Sequence, residues 1–97
     1  MTTKLTVRLL GVFQGISGIK QLRVEFGRPV TLGKVIQRLV ELLSPEFRRM
    51  LIDPELSDPR PNAIILVNGT EIGVFTGLET TVSDGDEIVL IPISHGG

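Results

Sequence analysis

Val82-Ser83-Asp84-Gly85-Asp86-Glu87-Ile88-Val89-Leu90-Ile91-Pro92-Ile93-Ser94-His95-Gly96-Gly97 is the last stretch of the sequence, and its reading decides the fold. Ser83 to Asp86 has the chemistry of a tight turn: Asp side chains hydrogen-bond nearby backbone and Gly supplies positive φ. Asp84 and Asp86 could instead be paired catalytic carboxylates, but flanking Gly85 they read more simply as residues that cap and bend the chain. Glu87 to Ile93 then reads as an apolar strand. Ser94 to Gly97 follows it directly and is expected to project as a tail.

Upstream, Ala63-Ile64-Ile65-Leu66-Val67 is a short continuous apolar run of strand type. Asn68-Gly69 closes it with the strongest two-residue hairpin signal, so Thr70-Glu71-Ile72 begins a return strand. An irregular stretch containing Leu78 and Val82 leads to the final turn. Near the start, Leu5, Val7 and Leu9 alternate with Thr6, Arg8 and Leu10, and Leu22, Val24 and Phe26 alternate with Arg23 and Glu25. Both are half-buried strands by their period of two. The glycines of Gly11 to Gly18 predict a flexible hairpin connection between them.

Between the two pairs of strands the period changes. Val35, Ile36, Leu39, Val40 and Leu43 recur at helical spacing, with Thr31 as N-cap. Ser44-Pro45 stops that helix and starts a short one, since Ser caps and Pro is tolerated at the first helical position; Phe47, Met50 and Leu51 are expected to pack inward. Asp53 to Asn62, with three prolines and three acids in ten residues, reads as a surface loop. The order strand, strand, helix, strand, short strand, strand predicts an α+β domain over residues 1–97, a mixed sheet wrapped on one main helix. That arrangement is the β-grasp, the ubiquitin-like fold.

Composition narrows the function. A chain of 97 residues with 41% hydrophobic and 22% charged residues can bury one core. Ten basic against eleven acidic residues, net charge −1, give no positive field for a phosphate backbone, so nucleic acid is not expected as a direct partner. The absence of cysteine removes disulfides, thiolate nucleophiles and iron–sulfur ligation. Neither a leader pattern at Met1-Thr2-Thr3-Lys4 nor an apolar stretch of membrane-spanning length is visible, so the expected compartment is the cytoplasm, with no membrane partner.

Little in the chain suits a self-contained enzyme. His95 has no nucleophile beside it and no second His at metal-ligand spacing; it reads as an exposed tail residue, and no metal is expected. The glycines of Gly11 to Gly18 lack the Lys-Ser/Thr of a phosphate loop. Gly96 and Gly97 are different. Without Cβ atoms they can thread a narrow channel and leave the terminal carbonyl open to attack. A carboxylate is a poor electrophile, so chemistry there needs activation by a partner, for example as an acyl-adenylate.

Val67-Asn68-Gly69, Val82-Ser83-Asp84-Gly85-Asp86-Glu87-Ile88 and the Pro92 to Gly97 ending together resemble the sulfur-carrier family. It comprises the molybdopterin synthase small subunit, the thiamine-pathway sulfur carrier, small archaeal modifiers and the ubiquitin-related modifier. The resemblance spans essentially the whole domain. It implies that the Gly97 carboxylate is adenylated by a ubiquitin-activating-type enzyme, which uses ATP, and becomes a thiocarboxylate. The sulfur would then serve a molybdopterin-type cofactor or tRNA thiolation through a synthase large subunit or thiolation enzyme. Some relatives join the glycine to target-protein lysines instead. No cofactor is expected to be bound by the chain itself.

Alternation along the final strand points Ile88 and Leu90 to the core and leaves Val89, Ile91 and Ile93 on the opposite face, where Leu10 can join them. With His95 these form the expected partner-binding set. The competing reading is a β-grasp interaction module with no C-terminal chemistry.

Overall fold

The computed structural model describes residues 2–93. Alternation produces the first strand, β1 (Thr3–Leu9), with Leu5, Val7 and Leu9 buried and Lys4 and Arg8 exposed. It pairs antiparallel with β2 (Gln21–Phe26), Leu5 opposite Val24 and Val7 opposite Leu22.

The connection between them is a helix, α1 (Gly11–Ser17), rather than the expected flexible hairpin. Gly15 lies within it, and Gly11 and Gly18 act at its two ends. Gly11, at φ 51°, turns the chain off β1, and Gly18, at φ 72°, forms a left-handed C-cap whose N–H donates to Gln14 O at 2.8 Å. Phe13 supplies the tertiary anchor: it is buried and meets Phe47 edge-on, ring centroids 5.9 Å apart.

After β3 (Val30–Thr31) the main helix, α2 (Leu32–Leu42), starts at its expected cap, Thr31 Oγ1 accepting from Lys34 N. Leu32, Val35, Ile36 and Leu39 are buried on one face. Ser44 caps α3 (Pro45–Leu51) by accepting from Phe47 N at 3.2 Å. Phe47 and Leu51, four residues apart, share the buried face, whereas Met50 lies to one side and is 39% exposed, contrary to expectation.

The Asp53 to Asn62 segment is a surface turn closed by its own polar groups. Asp53 N donates to Asp58 O and Ser57 N to Asp53 O, while Asp53 Oδ1 accepts from the N–H groups of Glu55 and Leu56. Arg60 grips both oxygens of Asp58, and Asn62 Nδ2 donates to Leu51 O at 3.2 Å, fastening the loop to α3.

Strand β4 (Ala63–Val67) turns at Asn68-Gly69, both at positive φ as a type I′ hairpin requires, into β5 (Thr70–Glu71). Ile72, expected in the return strand, begins a 3₁₀ turn (Ile72–Val74) capped by the Glu71 carboxylate on Gly73 N. A second 3₁₀ turn (Gly77–Glu79) precedes β6 (Thr81–Val82), which pairs with β3. The last strand, β7 (Glu87–Pro92), runs parallel to β1 and antiparallel to β4. The sheet order is therefore β2-β1-β7-β4-β5, and the core joins the inward residues of β1, β4 and β7 to α2, α3 and Phe13. This is the β-grasp expected from the sequence.

The two turn motifs are tied to each other. Asn68 Nδ2 donates to Asp86 Oδ1 at 2.9 Å, and Asn68 Oδ1 accepts from Glu87 N at 2.9 Å. Asp86 Oδ2 accepts from Ser83 N, and Asp84 Oδ1 from Lys4 N, both at 2.8 Å. Asp86 thus caps its own turn, while Asp84 fastens that turn to the start of β1.

In the loop, the Arg60 hydrogen bond holds the Asp58 carboxyl below its ordinary value, outweighing a small opposing effect of burial. A pKa depressed by folding means that ionised Asp58 adds stability above the ordinary carboxylate range, and that this contribution is lost as pH falls through the depressed value. Wild type should exceed Asp58→Asn by at most about 1 kcal/mol at neutral pH, because half-exposed Arg60 is screened by water. Urea melts should show the gap closing in acid; a gap independent of pH would rule out the ion pair as its source.

Candidate functional site

Because side chains alternate along a strand, β7 serves two surfaces. Ile88 and Leu90 are fully buried beneath the helices. Val89 and Ile91 face the other way, onto a side of the sheet that carries no helix among the described residues. Cross-strand pairing sets Ile64 opposite Ile91 and Leu66 opposite Val89, so four aliphatic residues from β4 and β7 adjoin there. Ile64 is 42% exposed; Leu66 and Ile91 are half-buried. Leu10 continues β1 with extended backbone, donates its N–H to Leu90 O at 3.2 Å and is half-buried.

Val89 departs from expectation in one respect: it lies on the outer face but is only 7% exposed. It occupies the middle of the sheet, with Arg8 beside it on β1 and Leu66 on β4. A short side chain between two longer ones is covered by them, and alternation reports direction without reporting a neighbour's reach. The β1 side of the face is polar, with Arg8 4.0 Å from Glu87.

The end of β7 is held from two sides. Pro92 pairs with Ala63 and packs against the first residue of α1, where a Cβ on Gly11 would lie 2.8 Å from Pro92 Cγ. Ile93 N donates to Asn62 O at 3.0 Å. Ile93 is half-buried and lines a shallow groove with Val12, Arg49, Met50 and Pro92. The sequence-predicted residues His95, Gly96 and Gly97 lie outside the described residues.

The structure thus brings Leu10, Val89 and Ile91 to one face of the sheet, whereas Ile93, one residue past the end of β7, lines the groove with Val12 of α1 and Arg49 and Met50 of α3. It adds Ile64 and Leu66, which the sequence reading took only as members of a continuous apolar run. A run apolar on both faces has no periodicity to read, and only the hairpin register through Asn68-Gly69 could have assigned its outer residues. Among the described residues no group of three or more His, Asp or Glu side chains could hold a metal ion, and no buried side-chain nitrogen or oxygen lacks a partner. What the described surface offers is therefore an uncovered apolar face beside the point where the last strand ends.

The chain is similar to known proteins in sequence and in fold. The sequence profile of the ThiS family matches residues 7–97. Small archaeal modifier protein 3 of Haloferax volcanii is 27% identical over 94 residues, which cover 97% of this chain and 99% of that protein. A protein of Archaeoglobus fulgidus named as a sulfur carrier is 35% identical over 69 residues, 70% of this chain and 75% of its own. The solution structure of Urm1 from Trypanosoma brucei superimposes with a TM-score of 0.80 at 25% identity, covering 99% of this chain and 97% of that one.

The two faces of β7 should respond oppositely to substitution. Leu90→Ala should destabilise by about 2–5 kcal/mol through lost transfer energy and a cavity. Ile91→Asp should melt close to wild type and weaken partner capture, because its carboxylate would have to shed water against apolar surface. Melting and pull-down on both variants decide the matter; a reversal of the two melting results would put the strand register off by one residue.

Proposed function

The chain belongs to the ThiS family, and we propose that its working group is the carboxylate of Gly97, activated by a partner docked on the Ile64–Ile91 face. It is a small sulfur carrier or ubiquitin-like modifier, not a catalyst. The observation that carries the proposal is the extent of the family match, which runs to residue 97 and so includes Gly96-Gly97.

In the proposed chemistry a ubiquitin-activating-type enzyme binds ATP, and the Gly97 carboxylate attacks the α-phosphorus to give an acyl-adenylate and pyrophosphate. Sulfide then adds to the activated carbonyl and AMP leaves, so one carboxylate oxygen departs with AMP and sulfur takes its place. The chain supplies no catalytic group to these steps. Its part is to present the terminal glycine without a bulky shield and to bring a docking face with it. Transfer of the sulfur to a molybdopterin-type cofactor or to tRNA requires a further synthase or thiolation partner.

Attack on the same adenylate by a target-protein lysine would give an isopeptide bond. Likeness over nearly the full length to a protein named a modifier supports this second outcome. Both outcomes share the activation step, so one experiment tests the common premise.

The protein should be incubated with the activating enzyme of its source, ATP and sulfide, and weighed intact. Wild type should exchange one oxygen for sulfur, while a chain lacking Gly97 or extended by a C-terminal tag should not react. A chain without Gly97 that retained full biological function would show instead an interaction module with no C-terminal chemistry.

A further inference from the structure

The Asp53 to Asn62 loop has no role in the chemistry above, yet it is closed by six hydrogen bonds from its own backbone N–H groups to its own carbonyls and carboxylates. What it builds is one wall of a groove on the helix side of the domain. The groove holds about 340 Å³, near the lower end of the range for ligand sites. Ile36 and Val40 of α2 form its floor with Ile52 and Leu78, and Ser57 and Pro59 of the loop stand over it. A second depression, running on toward Pro54, shares Arg48, Ile52 and Ser57 with the first.

Among the described residues Arg48 is the one ionisable side chain lining the main groove. Its neighbours are neutralised, Arg49 by Glu46 and Arg60 by Asp58, whereas the Arg48 guanidinium has no partner among the described residues. An unpaired cation over an aliphatic floor is complementary to a ligand that offers an aliphatic side chain with a carboxylate close by. The wall needs little ordering on binding, because Asp53 and Asn62 already fix the loop to itself and to α3.

From this we infer that the groove between α2, α3 and the 53–59 turn binds a linear segment of a partner protein in which aliphatic and acidic residues alternate. Ile36 belongs to the core that also holds Ile88 and Leu90, so groove and open sheet face lie on opposite sides of the sheet. The segment can be bound while the activating partner occupies the other face.

The probe is a short synthetic peptide alternating leucine and aspartate, titrated into the isotope-labelled full chain and followed by amide shifts. Gly33, Gln37, Ser57 and Leu78 should move and Ile64 and Ile91 should not. A peptide with lysine for aspartate should bind at least about tenfold more weakly, the worth of a charge-assisted hydrogen bond. Arg48→Gln should lose about tenfold for the acidic peptide and Arg48→Lys much less, with melting of both near wild type because the residue is exposed. Ile91→Asp should bind the peptide as wild type does. Four results would overturn the inference: no saturable binding, shifts centred on the sheet face, equal affinity for both peptides, or Arg48→Gln binding unchanged. Groove shifts that appear on concentrating the protein alone would overturn it too, by placing a second copy there.

Discussion

Strand β7 has no free edge. It lies parallel to β1, Thr6 beside Glu87 through Leu9 beside Leu90, and antiparallel to β4. Parallel neighbours cannot be joined by a tight turn. The whole chain from α1 to β6 is therefore the crossover between the first strand and the last, and its helices must pack on one face of the sheet. From that constraint follow both the single helix-covered core and the open face beyond it. The last strand leaves from the centre of the sheet, so withdrawing it would expose Ile88 and Leu90 together and break two ladders.

What pins β7 at its start is Asn68. Its side-chain amide donates to Asp86 while its carbonyl accepts from Glu87 N, and its own N–H reaches Glu87 O at 2.8 Å. A slip of one residue would exchange the core set with the outer set. Holding the hairpin of β4 against the turn before β7 fixes which residues of β7 face the core. The two sequence motifs that look separate are one structural device.

How much of this was legible follows from how local each cause is. Alternation in β1, the Thr31 and Ser44-Pro45 caps, and the Asn68-Gly69 and Asp84-Gly85-Asp86 turns all act within a few residues, and each was readable. Helix α1 was not, because Gly11 and Gly18 are the start and stop of a helix that also contains Gly15 and whose tertiary anchor is Phe13 against Phe47, more than thirty residues away. Met50 turned out exposed because a seven-residue helix can bury one narrow stripe, already taken by Phe47 and Leu51. Ile64 and Leu66 escaped assignment to the outer face because the run containing them is apolar throughout. Burial of Val89 depends on the reach of Arg8 and Leu66, and Arg8 arrives from the opposite end of the chain. The Asp53 to Asn62 loop was identifiable as a loop, but the groove beside it is made jointly with α2 and the second 3₁₀ turn.

Leaving Ile64 and Ile91 uncovered forgoes roughly 1–2 kcal/mol per side chain that burial would contribute. The inner face alone must then hold a domain whose net stability is only about 5–15 kcal/mol. An additional helix over the open face would recover that energy and remove the surface proposed for docking with it. The patch is also small: a few aliphatic side chains flanked by Arg8 and Glu87 fall well below the area of a permanent interface. Small, polar-rimmed contacts release their partners quickly, since affinity differences reside mainly in the dissociation rate. If the face docks the activating partner as proposed, a carrier that has to leave the enzyme that loads it and meet the one that unloads it would be served better by modest affinity there than by tight binding.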